Sequence, residues 1–147
     1  MPVRTRLLLR GNKNALGAAF GISLPTAPCT ARAGEPAALW LGPDEWLLLA
    51  AERMFPGWES EHGAIFDVSD RQVALLVEGD RATEALAAAC PLELATAPID
   101  FCTRTVFGKA EIVVWRRGAA SWHIETWRSF APYVEALLAT AIRGGLL

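Results

Sequence analysis

Cysteine, histidine and tyrosine are scarce in this chain of 147 residues, at three, two and one. Cys29, Cys90 and Cys102 are an odd, scattered set with no Cys-x-x-Cys pair, and only His62 and His123 stand beside them. That is too little for a zinc site and gives no disulfide framework. The expectation is buried reduced thiols in a cytoplasmic protein. No apolar run approaches the ~18–20 residues of a membrane span; Trp46 to Ala51 is only strand-sized. Met1 to Arg10 has arginines but no apolar core followed by a small-residue cleavage site, so no signal peptide is expected. Charge of one sign is missing too. Fourteen basic side chains against sixteen acidic ones leave a net charge of −2, which argues against nucleic acid as partner. Gly-x-Ser-x-Gly is absent, as is a phosphate loop, and Gly11 to Gly21 lacks Gly-x-Gly-x-x-Gly spacing. No nucleophile, metal or bound cofactor is expected of this chain.

What the chain has in excess is tryptophan: six, in a sequence that is 52% hydrophobic. One or two would serve a core. Tryptophan is enriched at protein interfaces because it combines large apolar area with one donor. We therefore expect at least two tryptophans on a surface that a partner covers. The candidates are Trp40, Trp46, Trp115 and Trp127, with Arg104, Lys109, Glu111 and Arg128 as charged neighbours. Trp58 and Trp122 complete the set.

The length suits one domain, 1–147, with a good core. Residues 3–10 alternate as a strand, with Arg4, Arg6 and Arg10 on its outer face. Asn12 or Asn14 can cap a short helix ending at Gly21. Ala37–Leu41 and Glu45–Ala51 read as strands around Gly42-Pro43-Asp44, and Met54–Gly63 as a loop. Ala64–Val68 and Gln72–Val77 are strands joined at a Ser69-Asp70 corner. Asp80 is expected to cap a helix through Ala89. Val106–Trp115 and Ser121–Thr126 form a hairpin, placing Lys109 and Glu111 on one strand face and His123 with Glu125 on another. Ser129 is expected to cap a final helix whose buried face carries Phe130, Tyr133, Val134, Leu137, Leu138 and Ala141. The order predicts an α+β fold: an antiparallel or mixed sheet with helices packed on one side.

Three stretches resemble the gamma subunits of heterotetrameric sarcosine oxidases. They are Leu39-Trp-Leu-Gly-Pro-Asp-Glu-Trp-Leu-Leu48, Phe66-Asp-Val-Ser69, and Cys102-Thr-Arg-Thr-Val-Phe-Gly-Lys-Ala-Glu111 with Trp127-Arg-Ser-Phe-Ala-Pro-Tyr133; Cys90-Pro-Leu-Glu-Leu94 fits too. The resemblance runs from about Leu7 to Ala141, and the chain is slightly short for the family between Ala50 and Gly63. The family is similar in turn to the folate-binding domain of the glycine-cleavage T-protein, an aminomethyltransferase. The T-protein's catalytic aspartate falls near Phe107–Val114, where this chain has valines and no Gly-Gly pair. No catalytic residue is therefore carried over. The resemblance implies a non-catalytic structural subunit packed against an alpha subunit, in a complex with beta and delta that oxidatively demethylates sarcosine to glycine. FAD, FMN, NAD, tetrahydrofolate and zinc would be held by those partners. A stand-alone folate-binding module and a self-assembling scaffold are the alternatives.

Overall fold

The computed structural model describes residues 2–54 and 61–144, which form two compact units, Met1–Asp70 and Arg71–Leu147. Trp58 lies outside the described residues, as does most of the loop expected over Met54–Gly63.

In the first unit, β1 (Thr5–Gly11) leads into α1 (Lys13–Phe20), followed by β2 (Ala31–Arg32), β3 (Ala37–Gly42), β4 (Glu45–Ala50) and β5 (Gly63–Asp67). The sheet order is β2-β3-β4-β1-β5, with every pairing antiparallel. The Asn12 side chain accepts hydrogen bonds from the backbone N–H groups of Asn14 and Ala15, and Gly21 closes α1 in the left-handed region at φ 68°. Both ends of α1 thus follow the residue chemistry expected of them. Alternation along β1 and β4 delivers Leu7, Leu9, Trp46 and Leu48 to one face, where Leu16 of α1 joins them.

In the second unit the order is β6 (Gln72–Glu78), α2 (Ala82–Ala87), β7 (Cys102–Phe107), β8 (Ala110–Gly118), β9 (Ser121–Trp127), a 3-10 turn (Arg128–Phe130) and α3 (Ala131–Ile142). The sheet reads β6-β9-β8-β7, again antiparallel throughout. Val77, Phe107, Val114, Trp122 and Ile124 pack from the strands against Leu86 of α2 and Val134 and Leu138 of α3.

The two units repeat one plan. A strand, a positive-φ glycine (Gly11, 127°; Gly79, 114°) and a short helix lead to three strands, the last of which pairs beside the first. The β3–β4 and β8–β9 hairpins also match. Gly42 pairs with Glu45 and Gly118 with Ser121, each after a register shift, and a fully buried tryptophan follows. Trp46 Nε1 donates to Pro25 O at 2.8 Å, and Trp122 Nε1 donates to Thr83 Oγ1 at 2.9 Å. Each indole therefore ties its hairpin to the segment that left the first strand, and satisfies its one donor inside the core. β5 and α3 are the additions particular to each unit.

Several expectations are corrected. The sheets are two, not one, and the strands on either side of Ser69-Asp70 belong to different sheets. The strand expected at Val106–Trp115 is the end of β7, a turn at Gly108-Lys109, and β8. Neither Asp80 nor Ser129 caps a helix: Arg81 and Phe130 hold the cap positions, without side-chain cap bonds. Arg6, expected on an outer face, is only 6% exposed.

Candidate functional site

At one end of the second unit the β7–β8 turn, the end of β9 and the start of α3 come together. The Lys109 backbone N–H donates to the Tyr133 hydroxyl at 3.0 Å, and the Thr126 hydroxyl donates to the Glu111 carbonyl at 3.2 Å. Gly108 makes the approach possible: its φ is 60°, and a Cβ there would collide with the Tyr133 hydroxyl and Leu137. Around this junction three aromatic side chains stay in solvent, Trp127 at 42%, Phe130 at 43% and Tyr133 at 39% exposure. Arg104 Nε and Glu111 Oε1, on neighbouring strands, form an ion pair at 3.3 Å beside them. Both are partly exposed, so the pair adds little stability.

Of the residues expected at an interface, Arg104, Lys109, Glu111, Trp127 and Arg128 all belong to this unit, on β7, the turn, β8, the end of β9 and the 3-10 turn. Lys109 and Glu111 do not share a strand face, because Lys109 lies in the turn. Trp40 sits elsewhere, half-buried on β3 opposite Trp46. Trp46 and Trp115 are corrections. Trp46, 1% exposed, is core of the first unit, and Trp115 is 3% exposed. The Trp115 indole donates to Asp100 Oδ1 at 3.0 Å, and the Arg117 guanidinium lies 4.2 Å from its ring centroid. Both rings are spent on the chain's own packing and present no surface.

Phe130 and Tyr133 were assigned to the buried face of the last helix and instead belong to this patch. The 3-10 turn at Arg128–Phe130 has a different angular step from α3, so a helical wheel extended back through it misplaces Phe130, while Tyr133, in the first turn of α3, reaches out to the Lys109 backbone. Pro132, two residues after Phe130 and obliged to sit in a first turn, is the available signal that the α-helix starts after Phe130.

A second polar arrangement is closed to ligands. His123 and Glu125, two apart on β9, share a face as expected, and Nε2 lies 2.7 Å from Oε2 with both side chains buried. Among the described residues no three His, Cys, Asp or Glu side chains gather as a metal site.

The sarcosine oxidase gamma subunit family model matches residues 11–142. The sarcosine oxidase subunit gamma of Corynebacterium sp. (strain U-96) is 32% identical over 140 residues, covering 87% of this chain and 67% of the relative. That of Arthrobacter sp. is 30% identical over 120 residues, covering 75% and 59%. That of Corynebacterium sp. (strain P-1) is 28% identical over 142 residues, covering 90% and 70%. This chain therefore spans roughly two thirds of its relatives' length. In the heterotetrameric sarcosine oxidase from Corynebacterium sp. U-96 in complex with pyrrole 2-carboxylate, one chain matches 97% of this fold with a TM-score of 0.86 at 31% identity, over 81% of its own length.

Proposed function

Because the chain belongs to the sarcosine oxidase gamma subunit family, we propose that it serves as a non-catalytic structural subunit of a heterotetrameric sarcosine oxidase. In this reading the complex oxidatively demethylates sarcosine to glycine in the cytoplasm. This chain packs against and stabilises the alpha subunit, with beta and delta in the same assembly. FAD, FMN, NAD, tetrahydrofolate and zinc belong to those partners, and this chain binds none. In the same reading, Phe107–Val114 corresponds to the segment where a T-protein-like domain would carry its folate aspartate, with Val113, Val114 or a neighbour in its place.

The observation that carries the reading is the likeness of nearly the whole chain to one chain of a heterotetrameric sarcosine oxidase. The exposed Trp127, Phe130 and Tyr133 support it, with the Arg104–Glu111 ion pair also at the surface of the same unit. Aromatic side chains are enriched at protein interfaces. Co-expression with an alpha subunit tests the role. The expected result is a stable complex, and an isolated chain without flavin absorbance. An alpha subunit that folds and turns over equally well without this chain sinks the proposal.

A further inference from the structure

In the first unit, a recess of ≈ 280 Å³ is lined by Arg4, Thr5, Arg53, Met54, Asp67 and Ser69. Its walls come from where β1 starts and where β4 and β5, its two neighbours, end. The floor is pinned. The Thr5 hydroxyl donates to Glu52 O at 2.7 Å and accepts from Met54 N–H at 3.0 Å, which holds the segment bearing Arg53. Ser69 Oγ accepts from Arg6 N–H at 2.9 Å, and Asp67 Oδ1 accepts from Ser69 N–H at 2.9 Å. Arg4 is anchored through its own N–H to Ala50 O at 2.9 Å. The lining backbone is therefore ordered before any ligand arrives.

Two guanidiniums line this recess, and among the described residues neither makes a hydrogen bond or ion pair. Asp67 is the one acid, held below the usual carboxylate range by the Ser69 side-chain and backbone hydrogen bonds, with Arg53 contributing. It is ionised at neutral pH, which leaves the lining with one net positive charge. Both hydroxyls are already engaged with backbone groups. With one net positive charge, the recess matches a singly charged group with two oxygens better than a doubly charged phosphate. Guanidinium forks suit that planar pair of oxygens.

We propose that the Arg4–Arg53 recess binds a carboxylate, supplied either by a small free acid or by an acidic side chain of a partner. Carboxylate binding does not depend on the subunit role proposed above; telling its two sources apart rests on that role. The test is a titration of the isotope-labelled full chain with sodium acetate, against sodium chloride at equal ionic strength, followed by amide NMR. Acetate should give saturable shifts at Met54 and Ser69 that chloride does not. Arg4→Gln with Arg53→Gln should weaken acetate binding about tenfold or more. Asp67→Asn, which keeps the oxygen that accepts from Ser69, should tighten it several-fold. Both arginines are exposed, so the double variant keeps its fold. Shifts that fail to saturate, or that persist unchanged in the double variant, overturn the site. Given acetate binding, assembly with the alpha subunit tells the sources apart. Weaker assembly of the double variant assigns the carboxylate to the partner, and unchanged assembly assigns it to a free acid.

Discussion

His123 and Glu125 lie on one face of β9 with Nε2 and Oε2 2.7 Å apart, and neither side chain is more than 4% exposed. The hydrogen bond offsets part of the desolvation of both groups, so removing one partner exposes the cost of burying the other. Glu125→Ala should destabilise the chain by roughly 3 kcal/mol in denaturant unfolding, and His123→Ala by a similar amount. The double variant should lose clearly less than the sum. Full additivity would mean that the two side chains do not support each other.

Arg116 holds a loop in place. Its guanidinium donates to the carbonyls of Ala97 at 2.6 Å, Ala119 at 2.8 Å and Gly118 at 3.3 Å, and lies 5.3 Å from the Trp122 ring centroid. Lysine has one nitrogen and cannot span these acceptors. Arg116→Lys should cost about 1–3 kcal/mol and speed proteolysis within residues 94–100. Unchanged cleavage would show that the loop is held by other contacts.

Trp127 and Trp46 should separate surface from core. Trp127→Ala is expected to change stability by about 1 kcal/mol or less while weakening assembly with an alpha subunit. Trp46→Ala, at a site 1% exposed, should cost about 3–5 kcal/mol. Assembly that survives Trp127→Ala combined with Tyr133→Ala would remove this patch from the interface.

Asp67 gives an acid-sensitive contribution of definite sign. Hydrogen bonds from Ser69, then the Arg53 charge, lower its folded pKa from 3.8. Its contribution is therefore complete above the unfolded value and is lost as pH falls below 3.8 through the folded value. Ser69→Ala should flatten the acid limb of the stability profile in that window and leave the neutral region parallel to wild type. An unchanged acid limb would assign the dependence to other carboxylates.

Much of this was legible because local chemistry and local structure coincide. Asn12 and Gly21 mark the ends of α1 since each satisfies backbone groups next to itself. Trp122 and Ile124 face one way and His123 and Glu125 the other, because alternation is a property of the strand alone. The internal repeat was also present in the residues, as Gly42…Trp46 against Gly118…Trp122 and Gly11-Asn12 against Gly79-Asp80. It is faint because only the turn and anchor positions are shared, while the strands between them need only be apolar.

By itself the sequence determined most of the strand and helix segments, though not β2 or the break between β7 and β8, together with the absence of recognised catalytic motifs and the family. Each follows from residue type and spacing within a short stretch. Tertiary structure alone decided which sheet each strand joined and which tryptophans stayed in contact with water. Alternation divides a strand into two faces without saying which is covered. Trp46 and Trp115 could be read as surface from spacing alone, and are buried because neighbouring strands, Pro25 and Asp100 close around them. Phe130 and Tyr133 could be read as core and are exposed, Phe130 because a 3-10 turn shifts its phase ahead of α3 and Tyr133 because its hydroxyl caps the β7–β8 turn at the end of the sheet.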